Sequence, residues 1–415
     1  MKTLDQIEPR TPISATHTPG DAQSSFIISV PGSYYLTGKI TGEVGKNGIL
    51  IAAGGVTIDL GGFSLEGVPG SLVGILAGSS VNVLTGLAIS NGRIASWGAQ
   101  GINGFYHDHA QYERLRLEKN GGGGLYAGFG SAVTNCIANE NIGDGIYSKQ
   151  CSTITACTAQ LNTTAGISTG GRSTITGCTA NLNTTFGILS NDDSTVTGSS
   201  ASGNLGYGIG VGNANTVSTC SASGNVLGGL FINGQYCVID RCTASFNRNF
   251  GMSVPFGSGT RFSGCVANVN GDFGVPAASG IGIQAGPSAT VENCIANKNK
   301  THGIEVSSGG LITANNCREN GAQGDGAGIY TTGADNRIDG NHVTLNDRGI
   351  QCSAGGSIVL RNSASGNTGP TQSGGATADY DFSNANTSYG PIVDKPSGVL
   401  TAAGFEAHPW ANFRF

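Results

Sequence analysis

Apolar positions along most of this chain come in short alternating bursts broken by polar turns, with no stripe wide enough for a helix. In residues 166–186 the apolar points are Ile167, Ile175, Cys178 and Ala180, separated by Thr, Ser, Gly and Asn. Such bursts predict strands of three to five residues joined by turns. The richness in Ile, Val and Thr points the same way, because these residues favour strands.

The bursts repeat. Gly145-Ile146, Gly166-Ile167, Gly187-Ile188, Gly208-Ile209 and Gly229-Leu230 recur every 21 residues, and Gly124-Leu125 extends the register upstream. Gly251-Met252, Gly282-Ile283, Gly303-Ile304, Gly328-Ile329 and Gly349-Ile350 follow at spacings of 21 to 31. Gly48-Ile49, Gly74-Ile75 and Gly101-Ile102 open longer units of 23 to 27, which makes fourteen copies. A 21-residue unit is too short for two packed helices. It suits one coil of short strands, stacked on the next coil at ~4.8 Å in parallel register. A nonapeptide roll has a different period, and the leucine pattern of a leucine-rich horseshoe is missing. The predicted fold is all-β: a single-stranded parallel β-helix of about fourteen coils over residues 48–367. An N-terminal cap segment, 1–47, precedes it, and an aromatic-rich C-terminal tail, 368–415, follows.

Recurring residues have physical roles in this scheme. The Gly before each Ile is expected either to adopt a backbone conformation closed to other residues or to lie too near the next coil for a Cβ. Asn recurs at 120, 141, 162, 183, 204, 225, 247, 270, 299, 320, 346 and 367. It is expected at one stacked turn, where it tolerates the left-handed region and its amides bond along the stack. Cys136, Cys157, Cys178, Cys220, Cys242, Cys265 and Cys294 share another slot, which Asn315, Asn341 and Asn362 take over. Neighbours in such a column lie ~4.8 Å apart, beyond the usual ~3.5–4.5 Å Cβ separation of a disulfide. The slot therefore reads as small reduced thiols filling a thin core. Cys151, Cys237, Cys317 and Cys352 lie outside it.

Composition now becomes intelligible. Seventy glycines in 415 residues is more than twice the usual ~7%, and much of the excess is met once per coil. No strict three-residue period exists, which excludes collagen, and no apolar run approaches ~18 residues, so no membrane span is expected. A net charge of −5 without a basic cluster argues against a nucleic-acid partner. Met1-Lys2-Thr3-Leu4-Asp5 carries no apolar stretch of a signal peptide. The polar, charge-poor surface nonetheless suggests an extracellular or cell-surface setting.

The Gly-Ile coils with their Asn turn, together with Val56-Thr57-Ile58-Asp59-Leu60-Gly61-Gly62-Phe63-Ser64-Leu65, resemble bacterial right-handed parallel β-helix repeat proteins of the pectin-lyase-like superfamily. The likeness covers about 48–367. Pro31-Gly32-Ser33-Tyr34-Tyr35-Leu36-Thr37 looks like their N-terminal strand, and Pro409-Trp410-Ala411-Asn412-Phe413 like their ending. The resemblance implies a right-handed helix with any sugar chain bound along the outside of one sheet. That superfamily holds polysaccharide lyases, hydrolases, epimerases and non-catalytic members, so the fold leaves the function open.

If Ile points inward, the residue after it points out. That outward column reads Tyr147, Ser168, Leu189, Gly210, Phe231, Ser253, Gln284, Glu305, Tyr330 and Gln351. Its polar and aromatic second half suits sugar hydroxyls and ring faces, which nominates Gln284, Tyr330, Arg348 and Gln351 as substrate-binding residues. Insertions 271–281 and 321–327 flank this half and carry Asp272 and Asp325, with His302 and Glu305 between. These four are the candidate catalytic residues, the carboxylates as acid and base in glycoside hydrolysis or His302 as base for uronate proton abstraction. Solvated loop charges are the alternative for all four. A second candidate is Tyr106-His107-Asp108-His109, where two His with Asp108 or Glu113 could bind a metal, although an exposed polar loop explains the run better. Asp192-Asp193 resembles the paired Asp of polygalacturonases but lacks the Asn-Thr-Asp, Gly-His-Gly and Arg-Ile-Lys companions. The Arg-x-Pro-x-x-Arg pattern of lyases is absent too. No metal ligand set is assigned and no cofactor is named. The expected function is polysaccharide binding with cleavage or epimerisation, against a non-catalytic adhesive or structural rod.

Overall fold

A computed structural model describes residues 10–272, 279–321, 326–369, 378–382, 386–394 and 408–415. Its regular elements are all strands, and among the described residues no helix is long and apolar enough to cross a membrane. The chain divides into two compact units, Met1–Leu205 and Gly206–Phe415.

Each unit is a stack of parallel coils. In the first, the Gly-Ile sheet runs through Ser24–Ile28, Asn47–Ile51, Ile75–Ala77, Ile102–Gly104, Leu125–Ala127, Ile146–Ser148, Ile167–Thr169 and Phe186–Ser190. In the second it runs through Tyr207–Val211, Gly228–Ile232, Phe250–Ser253, Ile283–Ala285, Ile304–Val306, Ala327–Thr331, Arg348–Cys352 and Tyr380–Phe382. The apolar residue after Gly is in register from coil to coil, Ile146 with Ile167 and Ile283 with Ile304. All four are fully buried, each worth ~1.5–3 kcal/mol of transfer free energy. The described residues thus hold eight coils per unit, two more in all than the fourteen expected. The additional strands, Ser24–Ile28 and Tyr380–Phe382, lack the Gly-Ile pair.

Each regular coil turns through three residues with positive φ. In the coil opened by Gly145 these are Cys151 (59°), Ala156 (52°) and Leu161 (55°). The residue after each corner, Ser152, Cys157 or Asn162, is buried. The Asn turn therefore differs from expectation: the left-handed residue precedes the Asn, leaving its side chain free to enter the core. Asn162 Nδ2 donates to Ala138 O at 2.9 Å and to Asn183 Oδ1 at 3.0 Å, while its N–H donates to the same Oδ1 at 3.0 Å. The pattern runs from Asn120 to Asn204 in the first unit and from Asn225 to Asn367 in the second, where Asn367 Nδ2 donates to Asp379 Oδ1 at 2.7 Å.

This ladder explains the Gly before Ile. A Cβ on Gly166 would stand 2.6 Å from Asn183 Nδ2 and 2.8 Å from Gly187 O. Of the two reasons anticipated, close approach is the operative one. The Cys slot holds free thiols, as do the other four cysteines, and Cys178 Sγ donates to Thr176 O at 3.4 Å. Where Asn replaces Cys the slot becomes a second amide ladder, Asn315 to Asn341 to Asn362 to Asn412, with Nδ2···Oδ1 distances of 3.0, 3.0 and 3.1 Å. The third corner carries a serine ladder that the Gly-Ile and Asn spacing does not announce: the N–H groups of Ser131, Ser152 and Ser173 donate to the next coil's Ser Oγ at 3.2, 3.2 and 3.0 Å.

Candidate functional site

On the Gly-Ile strands of Gly206–Phe415, strand alternation turns Gln284, Glu305 and Tyr330 outward between fully or nearly fully buried neighbours. Register places the three side by side in successive coils, preceded by Ser253. Ser253 Oγ donates to Gln284 Oε1 at 2.6 Å, and Gln284 Nε2 donates to Glu305 Oε1 at 3.0 Å. Hydroxyl, amide and carboxyl thus form one polar row across three coils. Ser253 stands in the outward column read from the sequence, but it is buried and anchors Gln284.

His302 reaches this row from the position before Gly303. Its ring stacks on Tyr330, centroids 4.4 Å apart and planes 25° from parallel, and its Nε2 stands 4.0 Å from Glu305 Oε2. The small Ala327 occupies the corresponding position in the next coil, and its N–H donates to His302 Nδ1 at 3.1 Å. That bond fixes the tautomer: in the neutral ring the proton is on Nε2, facing Glu305. Burial, reinforced by the Arg348 guanidinium, holds the His302 pKa down at about 4. Burial raises the Glu305 pKa above its ordinary value, against the lowering effect of the Gln284 hydrogen bond. The centre is a neutral imidazole N–H donor beside a carboxyl that is reluctant to ionise, with only 14% and 18% of the two side chains exposed.

The other nominated residues stand apart from this pair. Asp272 is bound to Arg248, whose Nε donates to its Oδ2 at 2.8 Å, and Asp325 lies outside the described residues. Arg348 and Gln351 are buried rather than presented to solvent. Arg348 Nε lies 3.3 Å from Oδ2 of the fully buried Asp381, and Gln351 pairs in register with Asp381 on the strand Tyr380–Phe382. Earlier in the same face, Tyr207 and Phe231 stack at 4.6 Å and 15°. Tyr207 precedes its Gly as His302 does, and Phe231 follows its Leu as Tyr330 follows Ile329, so one positional rule builds both ring pairs.

The histidine-rich run of the first unit does not form a cluster. His107 is fully buried on a strand paired with Leu84–Thr85, whereas His109 is an exposed positive-φ residue edge-on to Phe129. Asp108 Oδ1 accepts the Phe129 N–H at 2.9 Å, and Glu113 pairs with Arg114. Asp193 is a positive-φ corner residue 4.0 Å from Arg172. Among the described residues no group of three or more His, Cys, Asp or Glu is placed to hold a metal ion.

The sequence profile of the right-handed β-helix region matches residues 73–227 and 211–368. No curated protein sequence matches the chain. Several solved structures are similar. The A-module of a mannuronan C-5 epimerase from Azotobacter vinelandii is 15% identical over 84% of this chain and 90% of its own, at a TM-score of 0.38. Tailspike protein 3 of bacteriophage CBA120 is 12% identical over 83% and 56%, at 0.43. A mannuronic acid-specific polysaccharide family 6 lyase from human gut microbiota is 12% identical over 87% and 80%, also at 0.43.

Proposed function

The chain belongs to the right-handed β-helix family, and on that premise we propose that it binds a polysaccharide outside the cell, along the outer face of the Gly-Ile sheet of Gly206–Phe415. The observation that carries this reading is the stacked His302–Tyr330 pair beside the Ser253–Gln284–Glu305 row. A flat ring face flanked by amide and carboxyl groups, with the buried Ser253 hydroxyl anchoring the amide, is the surface that sugar rings and their hydroxyls require. Gln284 and Tyr330 are the substrate-binding residues of the proposal. Glu305 is its proton-transfer group, since burial raises its pKa above the ordinary carboxyl value and so favours the protonated form. His302 serves as a neutral hydrogen-bond donor, because its Nδ1 lone pair is already engaged by Ala327. Cleavage or epimerisation of the bound chain would proceed through Glu305.

A non-catalytic adhesive protein is the second reading. It is favoured by the engagement of Asp272 with Arg248, which leaves Glu305 without a second carboxylate among the described groove residues. A panel of acidic and neutral polysaccharides separates the two, read by ultraviolet absorbance of unsaturated uronates, by reducing ends and by a binding assay. Product that disappears in Glu305→Gln supports the enzyme. Binding without product supports the adhesive reading. Unchanged binding in Tyr330→Ala removes the groove altogether.

A further inference from the structure

Seven Asn-Gly pairs occur in the chain: Asn47-Gly48, Asn91-Gly92, Asn103-Gly104, Asn120-Gly121, Asn233-Gly234, Asn270-Gly271 and Asn320-Gly321. Asparagine is a thermolabile residue, and before glycine no Cβ shields the next backbone nitrogen from its carboxamide. Six of the seven are held by the fold. Asn120, Asn270 and Asn320 belong to the buried ladder, each Nδ2 donating to the next Asn Oδ1 at 2.9 Å. The glycine N–H groups that follow them donate to Trp97 O, Asn247 O and Asn299 O at 2.7, 2.9 and 3.1 Å. Asn47 donates to Gln23 O at 3.2 Å and accepts the Val73 N–H at 3.1 Å, while Gly48 N–H donates to Val73 O at 2.9 Å. Asn91 donates to Asp59 Oδ1 at 3.1 Å and accepts from Arg114 Nε at 2.7 Å, and Asn103 Oδ1 accepts the Phe105 N–H at 3.2 Å. Both of these pairs lie inside strands, Ala88–Ala95 and Ile102–Gly104.

Asn233-Gly234 is the exception. It follows the strand Gly228–Ile232 and lines a cleft of about 220 Å³ with Asn213, Gln235, Phe256 and Gly257. Asn233 is exposed, and among the described residues neither its carboxamide nor the Gly234 N–H has a hydrogen-bond partner. The neighbouring amides are engaged: Asn213 Oδ1 accepts the Gln235 N–H at 3.1 Å, and Gln235 Oε1 accepts the Ser258 hydroxyl at 3.2 Å. Nor can the glycine give way to a residue that would shield its nitrogen. A Cβ on Gly234 would stand 2.4 Å from Gly212 C, and one on Gly257 would stand 1.8 Å from Gly234 O. Close stacking of the coils thus imposes the glycine that leaves Asn233 open to attack. No lining residue of this cleft is charged.

We propose that Asn233 is a site of self-modification, converted to aspartate or isoaspartate with water as the only co-reactant. The Gly234 nitrogen gives its proton to solvent base and attacks Asn233 Cγ. The new C–N bond closes a cyclic succinimide as the Cγ–Nδ2 bond breaks, and Nδ2 leaves as ammonia with a proton from water. Water then adds to one of the two imide carbonyls. Opening at Cγ gives aspartate, and opening at the Asn233 main-chain carbonyl gives isoaspartate. No electrons are exchanged: ammonia leaves and water enters. Either product ionises and places one negative charge in an otherwise uncharged cleft. The reaction uses no residue of the His302–Glu305 groove, and neither proposal needs the other.

Peptide mapping by mass spectrometry of the full chain, incubated at mildly alkaline pH, tests it. Asn233 should convert at least tenfold faster than any of the other six Asn-Gly pairs. Its rate should rise with pH, because the attacking nitrogen must lose its proton. In guanidinium the seven pairs should convert at rates within a few-fold of one another, which assigns the selection to the fold rather than to the dipeptide. On anion exchange the native chain should gain a more acidic species that Asn233→Gln does not form. Conversion spread evenly over the seven native pairs, or faster conversion at Asn91 or Asn103 than at Asn233, would overturn the proposal. So would an Asn233 that stays intact in the native chain while the denatured chain converts, or an acidic species that persists in Asn233→Gln.

Discussion

Burial and the Arg348 guanidinium keep His302 neutral down to a pKa of about 4, whereas an unfolded imidazole titrates near 6.5. Between those values the unfolded chain binds more protons. The stability linked to His302 is therefore complete above about pH 6.5 and is lost as pH falls towards 4, by about 3 kcal/mol. Glu305 acts in the opposite sense. Its pKa is raised in the folded chain, so its stabilising contribution is complete below the ordinary value of 4.5 and is lost as pH rises through the folded value. Urea unfolding from pH 4 to 7 should show both slopes. His302→Gln should flatten the acid side, and Glu305→Gln, a neutral side chain of the same shape, should gain stability relative to wild type at pH 7. An acid slope unchanged by His302→Gln would contradict the neutral, buried imidazole. The sequence placed these two residues in one neighbourhood, since His302, Glu305 and Gly303 fall within a single strand entry. Their protonation was illegible, because it depends on Ala327 and Arg348 one and two coils away.

The coil was legible because its constraints repeat. Gly166 must lack a Cβ to admit the Asn183 amide, so Gly and Asn recur together and their pairing reads directly from the chain. Serine at the third corner went unnoticed because Thr and Ser are common throughout these coils, and nothing distinguishes Ser152 in the ladder from its neighbour Thr153. The burial of Arg348 and Gln351 was hidden for another reason: Tyr380–Phe382 extends the Gly-Ile sheet without a Gly-Ile pair to announce it. The ladder makes a quantitative prediction. Asn183→Ala removes the bonds to Ala159 O and Asn204 Oδ1 and strips Asn162 of the acceptor shared by its N–H and its Nδ2, all in a buried setting. Buried polar groups left unpaired cost ~1–3 kcal/mol each, so a loss of at least about 3 kcal/mol is expected in denaturant unfolding. Gly166→Ala should cost ~1–3 kcal/mol by overpacking the same spot. The double variant should cost less than the sum, because removing the Asn183 amide vacates the nearest of the three contacts the new Cβ would meet. Additive losses would mean that Gly166 and Asn183 do not share one constraint.

Across the molecule the thiols give a test of the coil arrangement that needs no substitution. All eleven cysteines are free, and only Cys151 is exposed. Cys151 is itself a positive-φ corner residue, one of three in its coil where the side chain is turned away from the core. Elsewhere burial removes access, and at two positions it also disfavours the thiolate: the Cys352 thiol is pushed up to about 11, and Cys317 is raised by the same cause. The attacking species in thiol chemistry is the thiolate, so Cys317 and Cys352 are protected twice, by the surrounding coils and by their protonated state. Titration of the native protein with an aromatic disulfide at pH 8 should therefore modify one thiol rapidly and leave ten unreacted. Denaturation in guanidinium should bring the count to eleven, with no prior reduction. A native count of several would mean that the Cys136 and Cys220 columns do not line a closed core. A denatured count below eleven would mean that some of the column is oxidised, which the ~4.8 Å coil spacing argues against. Because the count depends on every coil being closed, it reports on the stacking that the proposed binding groove requires.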